Sequence, residues 1–188
     1  MFRLKFPRVF VAALALLSMI NLSPANAAVV RQAQLSELVS ISDIVVHAIV
    51  SQTYSGEQKG FFTGIEIEIL SLLKGSTNDV DAMSIRLPGG DNGRLRQLIS
   101  GMPTLVPGDE VVLLLERTPQ GRHIFTGLSQ GVFFVLRGEN RTLAVRDLGP
   151  LLLVSPNGEH IHGEKIVDKA LDLGVLLKRI RELVGTNP

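Results

Sequence analysis

The hydrophobic positions of this chain fall into three regimes. An apolar run without charge, residues 9–20, comes first. A long middle follows, in which short apolar stretches alternate with breaks rich in Gly, Pro and Asn. In the last stretch the apolar residues recur every three or four positions. Within the middle regime, residues 44–50 are a β-rich run and residues 55–60 supply a turn. Residues 61–73 alternate: Thr63, Ile65, Ile67 and Ile69 point one way, and Gly64, Glu66, Glu68 and Leu70 the other. A third strand is expected over 83–87, stopped by Pro88-Gly89-Gly90. Pro107-Gly108-Asp109 turns into a strand over 110–116, whose wholly apolar centre, 111–115, predicts burial on both faces. Short strands are expected over 122–126, 132–136, 143–146 and 151–154. A short helix is expected over 34–40, and a hint of one helical turn lies at Arg94, Leu95 and Leu98.

The last regime predicts an amphipathic helix over 164–184, with Ile166, Ala170, Leu173, Leu177, Ile180 and Val184 on one stripe. Gly174 inside it costs about 1 kcal/mol relative to Ala. Short strands with turn signals, a short N-terminal helix and one long C-terminal helix predict a mainly-β domain, a small OB-like barrel or sandwich.

The first 27 residues read differently. Arg3, Lys5 and Arg8 precede the apolar run, Leu22-Ser23-Pro24 breaks it, and Ala25-Asn26-Ala27 is a small-x-small cleavage pattern. The run is shorter than the ~20 residues a bilayer span needs. The expectation is a signal peptide, residues 1–27, removed to leave one domain, 28–188, exported to a bacterial periplasm or secreted. Three of the 19 basic residues leave with it, so 16 basic residues face 18 acidic ones and the net charge falls from +1 to −2. That balance argues against nucleic acid as a partner, and no stable membrane span is expected after cleavage. The absence of Cys excludes disulfides, thiolate metal sites and a cysteine nucleophile.

Several stretches resemble chemical motifs. Gly127-Leu128-Ser129-Gln130-Gly131 has the spacing of a serine-hydrolase elbow, with His123 or His47 as a partner base, but an apolar strand rather than a helix follows it. A glycine-flanked turn is the favoured reading. His160 and His162 share a face if extended and could hold a metal with Glu159 or Glu164, against the plainer reading of a solvated loop. Residues 88–93 lack the Gly-Lys-Ser/Thr of a phosphate cradle and the acidic ladder of a calcium loop. They are expected to belong to a long loop at the barrel rim. Asn140-Arg141-Thr142 fits a glycosylation acceptor, and Glu66 and Glu68 share one strand face, read as its wet side. No catalytic set, cofactor site or metal site is assigned.

Ser42-Asp43-Ile44-Val45-Val46, Leu73-Lys74-Gly75, Pro88-Gly89-Gly90, Gly101-Met102-Pro103, Pro107-Gly108-Asp109-Glu110 and the Gly127–Gly131 motif together resemble a group of short exported bacterial proteins, over residues 35–136. The first two strands also resemble, distantly, the netrin-like module of tissue inhibitors of metalloproteases. That resemblance implies a five-stranded, partly open barrel with helices at its ends. In those inhibitors a free N-terminal Cys chelates the protease zinc; here Ala28 and Val29 would stand first, and no Cys exists. The reading carried forward is a non-enzymatic binding module for another envelope or extracellular protein. Its interaction residues are Ala28, Val29, Gly89, Gly90, Asp91 and Asn92. The alternatives are an inhibitor or companion of a secreted metalloprotease, or a hydrolase using Ser129.

Overall fold

The computed structural model describes residues 28–57, 60–76, 81–148, 151–154, 160–161 and 170–186. The expected signal peptide and His162 lie outside them. Elements in chain order are β1 (Ala28–Arg31), α1 (Leu35–Ile41), β2 (Ile44–Glu57), β3 (Phe61–Lys74), β4 (Ala82–Pro88), β5 (Gly90–Asp91), β6 (Arg96–Gln97), β7 (Glu110–Arg117), β8 (His123–Phe125), a 3₁₀ turn (Leu128–Gly131), β9 (Val132–Arg137), β10 (Thr142–Val145), β11 (Leu151–Val154), β12 (His160–Ile161), β13 (Leu171–Asp172) and α2 (Leu173–Thr186).

The main sheet runs β13-β10-β9-β7-β2-β3-β4, all antiparallel, with β8 also on β7. The fold is therefore mainly β with a C-terminal helix, but the sheet is open. No ladder joins its ends among the described residues, so the expected barrel closure is not found. The sheet nevertheless curls. Ile85 and Leu87 of β4 share one buried cluster with Leu115 of β7 and Phe125 of β8, and β4 touches β8 without pairing to it. Residues 111–115 of β7 explain the curl. All five are fully buried: Val111, Leu113 and Leu115 face the inner cluster, Val112 and Leu114 the outer one. Polar water-facing positions have no place on a strand covered on both sides.

The outer cluster is roofed by the helices. Leu38 and Val39 of α1 and Leu176 and Ile180 of α2 pack on Val112, Leu114 and Phe133. Helix α2 is shorter than the 164–184 stripe predicts. Leu171 and Asp172 pair with β10 instead, and Asp172 Oδ1 accepts the Val175 N–H at 3.2 Å, which caps the helix where it starts. Gly174 thus falls in an exposed first turn rather than mid-helix. The buried face reads Leu173, Leu176, Leu177, Ile180, with Ala170 exposed ahead of the helix.

Two other expectations change. Strand β2 runs through Glu57, past the Ser55-Gly56 turn signal, because Gly56 lies under an aromatic ring: a Cβ there would come within 2.5 Å of Phe62. No helical turn forms at Arg94–Leu98; β5 and β6 pair there instead. A second sheet, β1-β11-β12, carries its own small cluster, Leu148, Leu151 and Leu153, with Val30 and Leu128 against it. No helix among the described residues is long and apolar enough to cross a membrane.

Candidate functional site: a cleft at the sheet mouth

The loop after β4 folds back over the end of the β2–β3 hairpin and encloses a cleft of about 360 Å³. The cleft floor is Thr53, Ser55, Thr63 and Ile65, and its far wall runs from Leu98 through Val106. Two glycines permit this arrangement. Gly89 has φ +85°, and a Cβ there would lie 2.8 Å from the Gln97 carbonyl oxygen; one at Gly90 would lie 2.6 Å from the Phe62 carbonyl oxygen. Gly89 N–H donates to the Phe61 carbonyl at 3.0 Å and its own carbonyl accepts from Thr63 Oγ1 at 3.0 Å, so the loop is fastened to β3. Leu105 drops into the inner core and anchors the far wall.

The rim is apolar and wet at once. Leu98 is 73% exposed and Val106 53%, beside Tyr54 at 42%, while Leu95, 65% exposed, stands in the adjoining β5–β6 turn. Of the interaction residues expected from sequence, Gly89, Gly90 and Asp91 line this cleft. Asn92 sits in the neighbouring β5–β6 turn, where its Oδ1 accepts the N–H groups of Arg94 and Leu95 and its Nδ2 donates to Glu57 at 3.3 Å. Asp91 Oδ1 likewise accepts the Gly93 N–H at 2.7 Å. Both side chains thus shape the turn. Ala28 and Val29 lie elsewhere, in β1, laddered to Leu151 and Leu152 in the second sheet. The sequence pattern singles out the loop but not the exposure of Leu98 and Val106 on it. The Leu95 and Leu98 spacing that looked helical is the signal that could have found them.

The Gly127–Gly131 motif is not an elbow between strand and helix. β8 and β9 both run along one edge of β7, and the motif is the excursion between them. Gly131 closes it: a Cβ there would lie 2.3 Å from the Thr126 carbonyl oxygen. Ser129 is 1% exposed, and its Oγ has no hydrogen-bond partner, a base included, among the described residues. Gln130 instead works as a clasp. Its Oε1 accepts the Ala33 N–H at 2.8 Å and its Nε2 donates to the Arg31 carbonyl at 3.1 Å, holding the chain between β1 and α1.

One charged cluster was not foreseen. Glu110 takes two hydrogen bonds from Arg137, at 2.6 and 2.7 Å, and one from His47 at 2.8 Å, with its side chain 11% exposed. Burial by itself raises the Glu110 carboxyl, but the hydrogen bonds from Arg137 and His47 and Arg137's charge outweigh it and hold the group below its ordinary value. Only the cross-strand register brings these three residues together, which is why no sequence spacing shows them. His123, in β8, is held below its ordinary value by burial and by the Arg117 charge, against the opposing pull of Asp43. His160 lies in β12, opposite Val154.

No known protein family, curated protein or solved structure shows a significant match to this chain.

Proposed function

We propose that this chain is an exported, non-enzymatic binding module that grips another envelope or extracellular protein through the cleft rim. The observation that carries the reading is the apolar rim: Leu98 and Val106, both exposed on a loop fastened to the main sheet, with Leu95 exposed in the adjoining β5–β6 turn. Large apolar side chains exposed together on a fixed loop mark a surface that a partner can cover. The connectivity supports an OB-like module. β2, β3 and β4 form a meander, β7 returns to pair with β2, and β8 turns back toward β4. The charged, apolar and small-residue phases of residues 1–27 support export.

The inhibitor reading needs Ala28 and Val29 free to enter a partner's zinc site, and the β1–β11 ladder argues against that freedom. The hydrolase reading needs a base on Ser129 Oγ, which the buried hydroxyl lacks among the described residues.

The test is capture from envelope and culture medium with residues 28–188 as bait, beside a Leu98→Asp/Val106→Asp twin. A protein held by the first bait and lost from the second, with both baits showing the same circular dichroism, supports the reading. Equal capture by both moves the interface elsewhere. N-terminal sequencing of the exported chain should begin at Ala28; a cytoplasmic chain that keeps residues 1–27 overturns the export step.

A further inference from the structure

A second concavity, of about 330 Å³, lies where the sheet stops short of closing. One wall is the edge strand β4 with the start of β3; the other is β8 and the turn leading into it. Its apolar lining includes Phe61, Phe62, Leu87 and Ile124. Its charged lining is Arg86 and Arg122, and no Asp or Glu lines it among the described residues.

The Arg86 guanidinium is oriented by its neighbours. It lies 3.5 Å over the Phe62 ring. That ring is seated over Gly56, and Tyr54 meets it edge-on at 6.1 Å. Gly64 stands opposite Tyr54 on one side and Arg86 on the other, and its missing side chain leaves the row open for the rings. A guanidinium laid flat on an aromatic ring is a weakly hydrated, directional receptor for planar anions. A second arginine across the gap doubles the positive charge, and the apolar walls favour a ligand with a hydrophobic body over a bare hydrated anion. The volume suits a small ligand.

The geometry points to a binding site in this seam for a carboxylate carried on an apolar body. A free aromatic acid and the C-terminal residue of a peptide ending in Phe both present that chemistry. Leu87 and Pro88 line both this site and the loop cleft, but Arg86 and Arg122 line this one alone, and it stands whether or not the cleft binds a protein.

The test is a calorimetric titration of the full chain with 3-phenylpropanoate, its amide, inorganic phosphate, Gly-Gly-Phe and the amide of that peptide. Saturable binding of 3-phenylpropanoate is expected, and loss of the charge in either amide should weaken binding about 10-fold or more. Arg122→Gln should weaken it about as much, since a charge-assisted hydrogen bond is removed. Arg122 is exposed and outside any ladder, so this variant keeps the fold. Gly-Gly-Phe binding tighter than 3-phenylpropanoate assigns the site to a peptide terminus; the reverse order assigns it to a free acid. Acid and amide binding alike, unchanged binding in Arg122→Gln, phosphate binding as tightly as 3-phenylpropanoate, or no saturation by ~10 mM would each overturn the proposal.

Discussion

Ser129 and Gly131 stand two residues apart and carry opposite expectations. Ser129 keeps a hydroxyl away from water with nothing to bond it among the described residues, so Ser129→Ala removes a desolvation cost. It should leave stability unchanged or raise it by up to about 1 kcal/mol in urea unfolding. Gly131 has no room for a Cβ against the Thr126 carbonyl oxygen. Gly131→Ala should cost about 2 kcal/mol or more by the same measurement, because backbone rather than a flexible side chain must move. Two titrating groups add a pH signature. Glu110 sits below its ordinary 4.5 when folded, so its contribution is present above pH 4.5 and is lost as pH falls through the lower folded value. His123 sits below its ordinary 6.5 when folded, so the unfolded chain takes up that proton first, and stability declines as pH falls from 6.5 toward the folded value. Glu110→Gln should therefore cost about 1–3 kcal/mol at pH 7 and flatten the limb below 4.5. His123→Gln should flatten only the limb just below 6.5, and a denaturation series from pH 3 to 8 separates the two.

At the scale of elements, β7 is the member that both layers share. Leu113→Ala empties a site with no exposed surface at the centre of the inner cluster and should cost about 2–5 kcal/mol. Helix α1 hangs on a smaller device: Lys74 Nζ donates to the carbonyls of Val39 at 2.7 Å and Ser40 at 3.1 Å, at the helix end where a cation is favoured. The strands were legible where their own patterns were strong. The unbroken apolar run at 111–115 announced double burial, and the alternation of Ile65 and Ile67 with Glu66 and Glu68 announced an inner and an outer face. Local patterns failed where a distant partner overrode them. Gly56 and Gly60 signal a turn, and the chain does reverse between Glu57 and Phe61, but a ring from the neighbouring strand covers Gly56 and β2 runs on past it. The apolar stripe of the last regime suggested a helix reaching back to 164, but Asp172 caps it and Leu171 is taken by β10. Of the candidate site, the loop was readable from Pro88-Gly89-Gly90. The exposure of Leu98 was not, because it depends on how the chain beyond the short β5–β6 pair folds back over the hairpin.

For the molecule as a whole, Gln130 ties the β1-β11-β12 sheet to the turn beside the main sheet. Leu128, in a left-handed conformation at φ 62°, adds its side chain to the small cluster of the second sheet. Gln130→Ala should thus loosen β1 and β11 without melting the main sheet. Hydrogen exchange would read this as faster exchange at Val30 and Leu153, with Val112 and Leu113 unchanged; uniform acceleration would mean that the chain opens only as one unit. The aromatic row at the hairpin has a different kind of consequence. Tyr54 is the chain's single tyrosine, and tryptophan is absent. Ultraviolet emission excited through tyrosine therefore comes from one ring, placed edge-on to Phe62 between the loop cleft and the arginine seam. The protein carries its own optical reporter at the end where both binding events are proposed, and occupancy there can be followed in unlabelled protein by a change in that one signal.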